Sequence, residues 1–181
     1  MSESNDRINS VSKNASDTAA LVWSVADDLV GAYKPHEYGL VILPMTVIKR
    51  FHDCLMPTHQ AVLDTYKKVE KLAVKDGFLR KASGYQFYNI SPFTFKTLIA
   101  DPENIVENFR AYLNGFSDNL QDILARMDFD SQIKHMDEAG LLYQVISDFC
   151  DVRGDFSPAK MATTVNHNSF MVPTRDPLNW L

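Results

Sequence analysis

Residues 101–127, DPENIVENFRAYLNGFSDNLQDILARM, carry start signals, stop signals and apolar spacing in one unbroken run. Asp101-Pro102 suits a helix entry, because proline fixes φ and its missing N–H is one the first turn does not need. Ile105, Val106, Phe109 and Leu113 then recur at three and four residues, the period of one helix face, and Gly115 follows the last of them. Ser117 opens a second segment with Leu120, Ile123, Leu124 and Met127 on the same period. Two short helices joined by a tight turn are the unit from which the rest of the chain is read.

Working outward, Ser16 or Asp17 caps a first helix with the stripe Leu21, Val22, Val25 and Leu29, and Gly31 lies just past its end. A second helix carries Leu40, Val41, Val47, Ile48, Phe51 and Leu55; Pro44 inside it removes a backbone donor, so a kink is expected near Leu40. Thr58 opens a third with Val62, Tyr66, Val69 and Leu72 or Ala73 on one face, closed by Gly77. Ser91-Pro92 starts a short helical segment, and Leu141 to Cys150 forms the last helix. The aromatic stretch SGYQFYNI, 83–90, alternates and reads as the one short extended or hairpin segment. The fold class is therefore mainly α: a single helical domain whose core holds Leu21, Val25, Leu29, Val41, Ile48, Phe51, Ile105, Phe109, Leu124, Val145 and Phe149. The expected partition is a flexible polar N-terminus over 1–16, the helical domain over 17–160, and an irregular tail over 161–181.

Composition narrows the function classes. The chain has 181 residues, 45% of them hydrophobic, and a net charge of −5, which suits one soluble globular domain and gives no overall basic signal. Its longest apolar stretch, Leu40 to Ile48, is too short for the roughly 20 residues of a membrane span. The N-terminus has no apolar signal region, and Cys54 and Cys150 form no CxxC pair, so a cytoplasmic location with reduced thiols is expected. The seven glycines never form GxG, so no backbone cradle for a dinucleotide or triphosphate is present. No serine elbow occurs, and neither cysteine has an adjacent histidine.

Two groups of residues remain as sites. His52-Asp53 is the sharpest catalytic candidate, since a His-Asp pair with further histidines holds metal in phosphohydrolases; the simpler reading is a pair of polar positions at a helix end, with a cationic side chain suiting the dipole. His59 lies beyond Pro57, and His36, His135 and His167 are isolated, so no metal and no catalytic residue is assigned. The second group is electrostatic. In KKVEKLAVKDGFLRK, 67–81, Lys67, Lys68, Lys71, Lys75, Arg80 and Lys81 stand against Glu70 and Asp76, a net of +4 that leaves −9 for the remainder. Lys67, Lys71 and Lys75 recur every four residues and are expected to form a ridge on the third helix, with Arg80 and Lys81 in the loop beside Tyr85, Phe87 and Tyr88. These six are the candidate DNA-binding residues; an ordinary solvated helix face is the competing reading. Trp23 reads as a core or interface aromatic, and Asp27-Asp28 and Asp128-Phe129-Asp130 as solvated acidic runs.

Four long segments, LVWSVADDLVGAYKPHEYGLVILPMTVIKRFHDCL from Leu21, SGYQFYNISPFTFKTLI from Ser83, ENIVENFRAYLNGFSDNLQDIL from Glu103 and DEAGLLYQVISDFCDV from Asp137, resemble in register the N-terminal helical domain of the modification subunit of type I restriction-modification systems. The resemblance runs from about Asp17 to about Lys160. It implies a domain that packs near the specificity subunit and helps close around double-stranded DNA, ahead of a catalytic domain that methylates adenine at N6 with S-adenosylmethionine. A second modification subunit and the restriction subunit are the other implied partners, and no membrane is. The chain lacks the Gly-rich cofactor turn and the Asn/Asp-Pro-Pro-aromatic loop such a catalytic domain needs, so no cofactor site and no activity of its own are expected. From Ala162 the sequence leaves the family pattern. The alternative function is a small helical metal-dependent phosphohydrolase built on His52-Asp53.

Overall fold

Helix α2, Gly39–Leu55, is the axis around which the other elements pack, because its apolar residues do not keep to one stripe: Val41, Met45, Val47, Ile48, Phe51, Cys54 and Leu55 are all buried. Such a helix must be covered on most sides. In the computed structural model, which describes residues 2–165, it is covered by α1 (Ser2–Asp28), α8 (Phe129–Glu138) and α9 (Leu142–Cys150). Helix α9 also packs on α5 (Phe95–Ile99) and α6 (Ile105–Asn114), while α7 (Asp118–Arg126) packs on α8 and α10 (Pro158–Val165) lies along α1. Helices α3 (His59–Val69) and α4 (Asp76–Ser83) pair with each other as a hairpin. The fold is mainly α, and among the described residues the only β pairing is two isolated bridges.

All eleven core residues expected from periodicity fall in one buried cluster. Its centre is aromatic: Phe51 meets Phe87 at 5.0 Å, Tyr112 meets Phe116 at 5.2 Å and Phe95 at 5.9 Å, and Phe109 meets Phe129 at 6.3 Å, mostly edge to face. After α4 the chain bends at 85–86 and carries Phe87 into this cluster. Asn89 pairs with Phe116 as a bridge rather than a strand, with Ile90 N–H donating to Gly115 C=O (2.8 Å) and Ser117 N–H to Tyr88 C=O (3.0 Å). Gly115 caps the end of α6, as the sequence predicts, but with a right-handed backbone. What requires glycine is close approach: a Cβ there would stand 2.4 Å from Asn89 Oδ1 and 2.7 Å from Ser91 N.

Several boundaries differ from expectation. Helix α1 starts at Ser2, not near Ser16, and Asn14 and Asp17 tie it to Lys160 of α10, so part of the polar N-terminus is helix with a packing partner. Pro44 sits within α2 without ending it; Tyr38 C=O accepts from both Val41 and Ile42, securing the turn that precedes it. Helix α8 has no expected counterpart, because its start is Asp128 in the left-handed region (φ 50°), a signal that the acidic run masks. The tail is helical to Val165, and the rest of 161–181 lies outside the described residues.

Candidate nucleic-acid interface

The α3–α4 hairpin owes its shape to a small core of its own. Val62 and Val69 on α3 and Leu79 on α4 are buried together, with Tyr66, Ala82, Tyr88 and Ile90 packed around them. Burying Leu79 against both valines requires the chain to turn back after Val69. Leu72 N–H donates to Val69 C=O (2.9 Å), and α4 restarts with Phe78 and Leu79 N–H donating to Lys75 C=O. The expected single helix through Gly77 is therefore replaced by two, and Gly77 lies inside α4. Helix α4 ends on Gly84 in the left-handed conformation (φ 76°), whose N–H donates to Arg80 C=O. Ser83 Oγ donates to Phe87 C=O (2.7 Å) and Thr58 Oγ to Ser83 C=O (3.0 Å), which anchor the hairpin's base to the main body.

This path changes the geometry of the basic residues. Lys67 and Lys68 lie in the last turn of α3, Lys71 in the inter-helix turn, Lys75 at the entry of α4, and Arg80 and Lys81 on α4 rather than in a loop. The four-residue ridge of Lys67, Lys71 and Lys75 does not form, because no one helix carries all three. Two of the six cations are engaged internally. Lys75 Nζ stands over the Tyr66 ring at 5.2 Å, and Arg80 Nε approaches Asp76 Oδ2 at 2.7 Å while its Nη1 donates to Gln86 (3.3 Å). Burial and the Asp76 charge push the Tyr88 hydroxyl up to about 12, so it stays a neutral wall of this network. Lys67, Lys68, Lys71 and Lys81 are exposed and form no ion pair with a described residue.

The periodicity missed what lies beside them. Leu72, Val74 and Phe78 are 48%, 77% and 53% exposed, three large apolar side chains between the end of α3 and the first turn of α4. Val74 and Phe78 fall off the Val62–Tyr66–Val69 stripe, and that mismatch, together with the interleaved lysines, is the signal available in the sequence.

His52 and Asp53 point to different partners. His52 Nδ1 lies 3.1 Å from the Tyr112 hydroxyl, and its ring packs on Phe95 at 4.9 Å; burial, and secondarily Lys49, push it down to about 3. It is a neutral core side chain, not a cation suited to a helix end. Asp53 accepts from Lys49 Nζ (2.7 and 2.6 Å) and from the Phe156 N–H (2.8 Å). Burial raises its carboxyl while Lys49 and the Phe156 N–H pull the other way. Lys49 also donates to Gly154 C=O (2.6 Å) and Arg50 to Phe156 C=O, so this cluster fastens residues 154–156 to α2. His59 is spent on Ser91 C=O (2.8 Å). Among the described residues no group of three metal-ligating side chains occurs.

Two further readings are corrected. Trp23 is 70% exposed on α1, which removes the core half of its reading and leaves a surface aromatic. Asp28 is not a solvated end: it lies within hydrogen-bonding reach of Asp148 on α9, and burial followed by the Asp148 charge raises its carboxyl. Both Oδ2 atoms are buried and find no donor among the described residues unless one carboxyl keeps its proton. Asp130 is engaged by Arg110, and Phe129 between the two aspartates is buried.

The hairpin, the aromatic centre and α9 down to Phe149 all fall within a stretch that matches a known family model, that of the HsdM N-terminal domain, over residues 18–149. Among curated proteins and among solved structures nothing matches. No described helix is long and apolar enough to cross a membrane. With well over half its length matched and a helical body that spans the matched residues, the chain belongs to the HsdM N-terminal domain family, the N-terminal domain of the modification subunit of type I restriction-modification systems.

Proposed function

We propose that this domain acts without chemistry of its own, as a clamp on duplex DNA and a dock for the specificity subunit within a DNA adenine methyltransferase assembly. The observation that carries the DNA reading is the set of four exposed lysines, Lys67, Lys68, Lys71 and Lys81, that form no ion pair with a described residue, on one hairpin of an otherwise acidic chain. Cations left unpaired at such density suit a polyanion, whose condensed counterions they release on contact. Lys75 and Arg80 support the hairpin and stand at its edge. A second modification subunit and the restriction subunit complete the proposed assembly. S-adenosylmethionine belongs to a catalytic domain in this reading, since no Gly-rich turn or Asn/Asp-Pro-Pro-aromatic loop exists among these residues.

Titration of a short labelled duplex tests it. Four neutralised phosphates give a slope of log affinity against log salt of roughly −3 to −4, with dissociation constants of about 10⁻⁴–10⁻⁶ M and no sequence preference. Replacing Lys67, Lys68 and Lys71 by Glu weakens this binding and flattens its salt slope. An unchanged affinity and slope would return the hairpin to a solvated face and leave subunit docking as the function.

A further inference from the structure

We infer that the tip of the α3–α4 hairpin is an apolar wedge for a nucleic-acid duplex, with Leu72, Val74 and Phe78 entering a groove while the flanking lysines hold the phosphates on either side. The inference rests on the DNA reading above and gives that surface its mode of contact. Three large apolar side chains are held in water at about half exposure or more, although the hairpin has a core of its own directly beneath them. That core is filled by Val62, Val69 and Leu79, so the tip residues have no internal place to go. Two of them are also held in place rather than left on a free loop: Leu72 by its N–H donating to Val69 C=O, and Phe78 by the first turn of α4, with Val74 between them.

Charge complementarity selects the occupant. Lys68 and Lys71 precede the apolar group in the chain and Lys81 follows it, all exposed and without an ion pair to a described residue, so the partner is anionic around an apolar or aromatic centre. Stacked base pairs between two phosphate strands have that pattern. Size points the same way. Three side chains offer a few hundred Å² at most, below the roughly 800 Å² per partner of a stable protein interface. An inserted wedge needs only one or two apolar side chains to unstack a base step.

The test is duplex binding by the full chain, with two variants and two readouts. Leu72→Ser, Val74→Ser and Phe78→Ser together should weaken binding about tenfold at every salt concentration while the salt slope stays as it was, since apolar and stacking contacts release no counterions. Lys67→Glu, Lys68→Glu and Lys71→Glu should flatten the slope. A 2-aminopurine placed in the duplex should brighten on binding of the unaltered chain, reporting unstacking, and stay dark with the serine variant. Circular dichroism confirms that both variants keep their helices. Full affinity of the serine variant, or a dark probe with the unaltered chain, overturns the wedge while the lysine result still stands for the DNA reading. Loss of specificity-subunit capture by the serine variant with duplex affinity unchanged assigns the tip to protein and overturns the wedge. If neither variant changes duplex binding, the DNA reading itself fails.

Discussion

The main body and the α3–α4 hairpin are built on opposite terms. The body joins residues from α1, α2, α5, α6, α7, α8 and α9 in one cluster in which Phe87, Phe95, Phe109, Tyr112, Phe129 and Phe149 are fully enclosed, whereas the hairpin rests on three buried apolar residues and leaves an equal number of apolar side chains outside. Stability thus resides in the body, and the hairpin is free to be shaped by what it touches. The sharpest test of that division is a matched pair of truncations. Phe109→Ala empties the meeting point of Tyr112 and Phe129 and is expected to cost about 3–5 kcal/mol of global stability, enough to threaten folding. Leu79→Ala, although equally buried, should open the hairpin locally, seen as faster amide exchange over 62–82 with a smaller loss in the global transition. Equal global losses would make the hairpin part of the same cooperative unit.

Gly115→Ala probes the seam between the two regions, where residues 88–91 pass from the hairpin into the body. Its new methyl would meet the Ser91 backbone and Asn89 Oδ1, a buried side-chain end pinned by the Ser91 N–H and by the amide's own bond to Tyr112 C=O. The expected cost is about 3 kcal/mol by overpacking, read as a lowered denaturant midpoint. Because the clash is local to Asn89, combining Gly115→Ala with Asn89→Ala should recover part of the loss.

Protons distinguish the regions next, because the body buries titratable groups and the hairpin's free cations are exposed. His52 has its pKa lowered to about 3 in the folded state against 6.5 when unfolded. The unfolded chain therefore binds the extra proton as pH falls below 6.5, and stability present above that value drains away toward about pH 3, by up to about 1.4 kcal/mol per pH unit. Unfolding titrations of His52→Phe should lose that slope. Asp28 has the opposite sign: its carboxyl is raised by burial and by Asp148, with Asp27 adding and Gln144 opposing, so its contribution is present below the unfolded pKa and is lost as pH rises through the folded one. Asp28→Asn should then raise the melting temperature near neutral pH, worth about 1 kcal/mol as it also removes an anion from a helix C-terminus, and do little in acid. A gain that persists in acid would mean that the proton is not shared.

How much of this was legible follows from what each residue's environment depends on. Core positions such as Val25, Ile48 and Phe109 were readable because a 3.6-residue period is imposed by the helix itself and needs no partner to interpret. The matched family segments were readable for the same reason that order and length make them specific. The His52 partner, the Gly115 approach and the Asp28–Asp148 contact were not, since each joins residues 24 to 120 positions apart in the chain, and nothing local marks them. The hairpin was misread for a subtler reason: Lys67, Lys71 and Lys75 do keep a helical period, but burial of Leu79 on Val62 and Val69 outweighs the propensity of the intervening residues to continue one helix. The expected ridge is lost with that helix, because Lys71 and Lys75 fall outside α3.

The smallest expected effect concerns those lysines in the absence of any partner. Lys67 and Lys68 sit in the last turn of α3, where their charge suits the exposed carbonyls, and neither forms an ion pair with a described residue. Neutralising both with Gln keeps their reach and helix propensity and removes only that dipole interaction, which is screened at the surface and amounts to a few tenths of a kcal/mol each at low salt. The thermal midpoint should therefore move by no more than a degree or two, and the shift should vanish as salt is raised. Asp76→Asn makes the contrast within the same hairpin, because it releases Arg80 and leaves the Tyr88 hydroxyl facing an amide. It should loosen exchange over α4 while leaving the charge of the free lysines intact. If the Gln pair lowers the midpoint as much as Asp76→Asn does, the lysines are structural, and the hairpin's surface is set by folding rather than left over for a ligand.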